Sequence, residues 1–143
     1  MFDKHPHQHT VADAAIFVHC TKRQRERLQA LSSVVEVHDG YELTKEGRTG
    51  LEFGIILDGT AEVTVHGHPV ATLGPGDHYG EVALLERVGH PDHAVRMATI
   101  TAKGPMRVAV MTVQEFATVL ADLPDVADAV RRAARDRVGA AAQ

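Results

Sequence analysis

Three residue types in one stretch of this 143-residue chain are placed to do chemistry together: a glycine before a helical turn, a carboxylate and an arginine. The stretch, 73–101, reads LGPGDHYGEVALLERVGHPDHAVRMATIT. The turn-rich run Gly74-Pro75-Gly76-Asp77 leads into Tyr79-Gly80-Glu81-Val82-Ala83-Leu84-Leu85, whose second part is expected to form one helical turn. The first amides of such a turn have no intrahelical partner, and the helix dipole favours negative charge there, so they form a seat for a small anion. Gly80 lets backbone approach a ligand with no side chain between them. Glu81 would repel a phosphate but accepts hydrogen bonds from hydroxyls. Arg96 opens the strand-like run Met97-Ala98-Thr99-Ile100 and carries a planar, permanently charged fork suited to phosphate. An anion seat, a hydroxyl acceptor and an arginine together describe a sugar phosphate.

Other chemistry is less legible. His66-Gly67-His68 and His78 offer metal ligands, but Gly67 places the first pair at a turn, and no second set follows at useful spacing. A cupin-type metal enzyme is therefore the weakest reading, and the histidines are expected at the surface. No Ser-His-Asp or Cys-His constellation is present, and Cys20 has only His19 beside it as an activating candidate. The sequence is not read as an enzyme, and no cofactor or metal is expected.

The elements that position these residues change period along the chain. Residues 1–11 hold His5, His7 and His9 and are expected to be a flexible tail. Residues 12–33 look helical, with Thr21 as a cap and Leu28 and Leu31 facing inward. From Val34 the pattern is twofold: short apolar runs alternate with Asp39-Gly40, Gly47, Asp58-Gly59 and Gly67. Asp58-Gly59 is expected to close a hairpin between 51–57 and 61–65, and 95–102 and 106–111 read as two further strands. Such spacing predicts a mainly β fold, an antiparallel barrel or jelly roll over 34–112 with helices flanking it. Thr112-Val113-Gln114-Glu115 is a capping box that starts the helices of 113–138, and Leu123-Pro124 breaks them. The last helix carries Val126, Val130, Ala133 or Ala134, and Val138 on one face, with an Asp128–Arg132 pair outside. That stripe reads as core-packing, with a homodimer seam as the alternative. Residues 139–143 form a tail, so 12–138 is one domain.

The stretch 76–101 resembles the phosphate-binding cassette of the cyclic nucleotide-binding domain family. Members include the catabolite activator protein, the regulatory subunits of protein kinase A and the cyclic-nucleotide-gated channels. The family's Phe-Gly-Glu, aliphatic-Ala-Leu and Arg-small-small-Thr parts appear as Tyr79-Gly80-Glu81, Val82-Ala83-Leu84-Leu85 and Arg96-Met97-Ala98-Thr99. The likeness extends over roughly 17–137, with Phe53-Gly54-Ile55-Ile56 standing for the family's aromatic-rich strand and Arg48 where an acidic residue often follows the second glycine. By resemblance, Glu81 and the Gly80 amide hold the ribose 2′-hydroxyl, and Arg96 and the Ala83 amide hold the cyclic phosphate. Val82, Met97 and Ala98 complete the set expected at the ligand. Met97 stands where a Thr or Ser favours guanine, so cyclic AMP is the expected ligand and cyclic GMP the alternative.

Glu81 and Arg96 are fifteen positions apart, several more than in most members. The intervening residues 86–95 are polar and turn-forming, and they read as an exposed, mobile loop that leaves both ends in place, since doubling a loop costs only about 0.6 kcal/mol. An arginine serving the ligand alone would also leave the melting temperature unchanged when removed.

The whole chain bounds the partners. Its formal charge of −4, with acids and bases mixed, argues against a nucleic-acid-binding surface. No apolar run approaches the roughly 20 residues of a membrane span, and a single cysteine fits a reducing cytoplasm. With no helix-turn-helix or other module legible, the domain is expected to sense a cyclic nucleotide and act on a separate effector protein. The alternative within the same fold is a ligand-free interaction module.

Overall fold

The computed structural model describes residues 14–48, 52–80 and 96–141. The expected tail 1–11, the residues Glu81, Val82 and Ala83 and the loop 86–95 lie outside them. The elements are a 3-10 turn (Ala15–Phe17), α1 (Lys22–Ala30), β1 (Ser33–Val37), β2 (Glu42–Thr44), β3 (Glu52–Val65), β4 (His68–Leu73), β5 (His78–Tyr79), β6 (Thr99–Thr112), α2 (Val113–Asp122) and α3 (Pro124–Ala141). This is a mainly antiparallel β fold with helices at its flanks. The sheet order is β1-β6-β3-β4, with β2 also on β6 and β5 also on β3.

Several of the sequence expectations change here. Asp58-Gly59 does not reverse the chain: β3 is one strand of 14 residues, and β6 likewise runs through Gly104-Pro105 as one strand of 14. The two strands pair with each other, Glu52 opposite Thr112 and Thr64 opposite Thr99, and the register slips around Asp58 and Thr60. Gly59 (φ +91°) and Gly104 (φ +94°) supply left-handed backbone at that slip. The two turn signals therefore face each other across the ladder and bend both strands together as a bulge. The helical stretch 12–33 is also divided, and β1 begins at Ser33.

The run Phe53-Gly54-Ile55-Ile56-Leu57 is buried without interruption because both faces of β3 are covered. Phe53, Ile55 and Leu57 join Phe17, Leu28, Phe116, Val126 and Val130 in a core beneath the helices. Ile56 points the other way and joins Leu43, Tyr79, Ile100, Met106 and Val108. The long strands are thus a partition between two cores.

Both predicted helix caps have the full reciprocal form: Thr21 with Gln24 on α1, and Thr112 with Glu115 on α2. On α3 the buried residues are Val126, Ala127, Val130 and Ala134, and Asp128 approaches Arg131 at 4.0 Å where the sequence pointed to Arg132. His66 is exposed at the β3–β4 turn, 3.2 Å from Glu46. His78 departs from the surface expectation: it is partly buried, its ring centroid 5.9 Å from that of Phe53.

Candidate functional site

β5 carries the chain to the candidate site. His78 and Tyr79 pair with Ile55 and Gly54 of β3, and the Tyr79 ring occupies the space where a Cβ on Gly54 would stand. Tyr79 is 1% exposed. Burial is the largest cause holding its phenol far above the usual range, with the Glu52 charge adding to it. Gly54 exists in this strand because Tyr79 lies on it.

Gly80 follows with φ +93°. A Cβ there would stand 2.5 Å from Arg96 Nη1 and 2.6 Å from the Glu52 carbonyl oxygen, so only glycine fits. Arg96 thus lies against Gly80 although fifteen positions separate it from Glu81. Its backbone is clamped on the Gly47 turn: Arg96 N–H donates to the Arg48 carbonyl at 2.7 Å, and Gly47 N–H donates to the Arg96 carbonyl at 2.9 Å. Thr44 Oγ1 donates to the Ala98 carbonyl at 2.9 Å, and Glu46 N–H donates to Thr99 Oγ1 at 3.0 Å. These four bonds fix where the strand after Arg96 begins. Met97 is 47% exposed beside them.

Arg96 is 6% exposed, and its guanidinium Nη2 donates to the Glu52 carbonyl at 2.5 Å. Burial raises the Glu52 carboxyl above the ordinary carboxylate range, while the Arg96 charge and then the Tyr79 hydroxyl pull it back. Arg96 is therefore also part of the protein's own packing, which revises the expectation that its removal leaves stability unchanged.

Two supporting roles were not legible beforehand. Glu52 was read only as part of a strand, and nothing in its spacing marks it as a neighbour of Arg96. Arg48 acts through its carbonyl while its side chain is exposed, a backbone role that no side-chain pattern reveals. Gly80 and Arg96 are brought together; Met97 and Ala98 flank them; Glu81, Val82 and Ala83 lie outside the described residues.

Among the described residues, the arrangement places the buried Arg96 side chain beside the backbone of the Gly80 turn. Cys20 packs against the helical core instead, where burial raises its thiol above the ordinary range, Arg25 opposes that and Asp125 adds to it. Among the described residues no cluster of three His, Cys, Asp or Glu side chains is placed to hold a metal ion.

Residues 34–122 match the family described as the cyclic nucleotide-binding domain. The chain belongs to that family. A cAMP-dependent protein kinase regulatory subunit from Yarrowia lipolytica is 39% identical over 105 residues, covering 71% of this chain and 26% of the relative. The corresponding subunit from Schizosaccharomyces pombe is 32% identical over 119 residues, covering 82% of this chain and 27% of the relative. The chain thus spans about a quarter of these relatives' length. Among solved structures, PKAR CBD2 with bound Sp-2Cl-cAMPS superimposes with a TM-score of 0.71 at 23% identity, covering 90% of this chain and 86% of that one. At that identity the likeness establishes the fold.

Proposed function

We propose that this domain is a cyclic-nucleotide receptor, with cyclic AMP as the preferred ligand, that regulates an effector protein in the cytoplasm and does no chemistry itself. Membership of the family and two relatives named as cAMP-dependent kinase regulatory subunits support the ligand class. The observation that carries the reading is the buried Arg96 guanidinium lying against Gly80. In this reading Arg96 and the Ala83 amide hold the cyclic phosphate. Glu81 and the Gly80 amide hold the ribose 2′-hydroxyl, and Val82, Met97 and Ala98 line the remainder. Among the described residues no helix is long and apolar enough to cross a membrane.

Calorimetric titration with cyclic AMP, cyclic GMP and 2′-deoxy cyclic AMP tests this. Loss of the charge partner of a bound anion costs about 2–5 kcal/mol, so Arg96→Ala should weaken cyclic AMP binding by roughly 1.5 to 3.5 decades. Glu81→Ala should abolish discrimination against the 2′-deoxy ligand, and Arg87→Ala should change little. Absence of wild-type binding at millimolar ligand would overturn the receptor reading in favour of an interaction module.

A further inference from the structure

One side chain ties the β3–β4 turn to the turn that clamps Arg96. His66 and Gly67 form the first of these turns, and both are left-handed, at φ +52° and +80°. Two such residues suit a two-residue hairpin, whose first position usually takes Asn, Asp or Gly. Among the described residues, His66 is the one other than glycine with a positive φ. Glu46 meets it from across the gap. Its Oε1 accepts the His66 N–H at 2.8 Å, and its Oε2 lies 3.2 Å from His66 Nε2. The Glu46 N–H in turn donates to Thr99 Oγ1 at 3.0 Å, and Thr99 is the ladder partner of Thr64 near the end of β3.

We infer that Glu46 is a positioning residue for the nucleotide site: its carboxylate anchors the Gly47 turn, and through that turn it fixes Arg96. This rests on the receptor reading above, and adds to it a residue that sets affinity without touching the ligand. The route is short. Glu46 precedes Gly47, whose N–H donates to the Arg96 carbonyl at 2.9 Å, and the Arg48 carbonyl accepts the Arg96 N–H at 2.7 Å. The bond from Arg48 N–H to the Lys45 carbonyl, at 3.0 Å, shapes the turn from within. Lys45 lies 3.6 Å from Glu42, but both side chains are exposed, and such pairs contribute little. The Glu46 carboxylate is only 28% exposed and has a backbone donor, so it is the firmer anchor.

The anchor matters because the turn has little else to stiffen it. Nothing stands within 4 Å of where a Cβ on Gly47 would be, so packing around that residue does not hold the turn. The fit at the other end is close: a Cβ on Gly80 would stand 2.5 Å from Arg96 Nη1. A clamp that drifts therefore carries the guanidinium out of its place beside Gly80. Without the Glu46 carboxylate the turn is free to drift, and a ligand must order it again on binding. Apparent affinity then falls with the fraction of molecules whose clamp is in place. Glutamine at this position keeps an oxygen for the His66 N–H and so keeps the anchor.

Two experiments decide it. The first needs no ligand: amide hydrogen exchange is followed by NMR at Gly47 and Arg96. Gly76, whose N–H donates to the Ile56 carbonyl at 2.8 Å, serves as the control. In Glu46→Ala the first two amides should exchange about tenfold faster while Gly76 is unchanged, and Glu46→Gln should stay within about twofold of wild type. Wild-type exchange at Gly47 and Arg96, or equal acceleration at all three, overturns the inference. In the second, cyclic AMP is titrated calorimetrically. Glu46→Ala should bind about three- to tenfold more weakly, and Glu46→Gln should recover the wild-type value to within about twofold. Gly40→Ala, which strains a different turn, should bind as wild type does. Three results overturn the inference and leave the receptor reading standing: wild-type affinity in Glu46→Ala, a Gln variant as weak as the Ala variant, or an equal loss in Gly40→Ala. Absence of wild-type binding overturns both.

Discussion

Gly59 and Gly80 have the same backbone and opposite surroundings. Both are left-handed, at φ +91° and +93°, and in both a Cβ would collide with something already in place. At Gly59 the obstacle is the Pro105 carbonyl and the Met106 side chain, the seam of the bulge between β3 and β6. At Gly80 it is the guanidinium of Arg96 and the carbonyl of Glu52. The first corner bends two strands around a core. The second brings a buried cation against bare backbone. Left-handed glycine thus marks close approach, and the chemistry of what approaches separates structure from site. The cavity near the first corner illustrates the point. A groove of about 630 Å³ lies there, lined by residues that include Glu36, His38, Asp58, Pro105 and Arg107, and within it Asp58 and Arg107 form an ion pair at 2.8 Å.

That contrast breaks most visibly at the bulge. Gly59→Val adds left-handed strain and a clash with backbone that cannot swing away, together roughly 3 kcal/mol or more. Denaturant unfolding should show that loss, while ligand affinity of the folded protein stays at the wild-type value. Weakened affinity at unchanged stability would mean that the bulge belongs to the site.

Gly80→Ala should cost less stability, about 1–3 kcal/mol, because part of the obstacle is the end of a flexible side chain. It should also displace Arg96, so affinity falls with it. A Gly80→Ala protein that binds cyclic AMP as wild type does would show that Arg96 acts from elsewhere.

Gly40 supplies the lower limit. It is left-handed at φ +84°, but nothing stands within 4 Å of where its Cβ would be. Gly40→Ala should therefore show backbone strain alone, about 1 kcal/mol by thermal or denaturant melting, and no change in affinity. A larger loss would mean that the turn carries more than its own conformation.

Much was set by local sequence, because its causes are local. Glycine turns, the uninterrupted apolar run of β3 and the two capping boxes act over a few residues, so Thr21 and Thr112 could be named as caps from spacing alone. The cassette residues were legible as a motif for the same reason: Gly80 with Glu81, and Arg96 with Met97 and Ala98, are neighbours in sequence. Tertiary structure decided what the turn signals do. Asp58-Gly59 and Gly104-Pro105 each look like the end of a strand, and only their juxtaposition across one ladder makes them a shared bend. It also decided what surrounds Arg96. Glu52 lies 44 positions away in sequence and reaches it through a backbone carbonyl, while Arg48 holds it by another. Every residue carries the same carbonyl, so no residue type or spacing announces which one will meet a cation. That is fixed only when β3, β5 and the Gly47 turn converge on one corner.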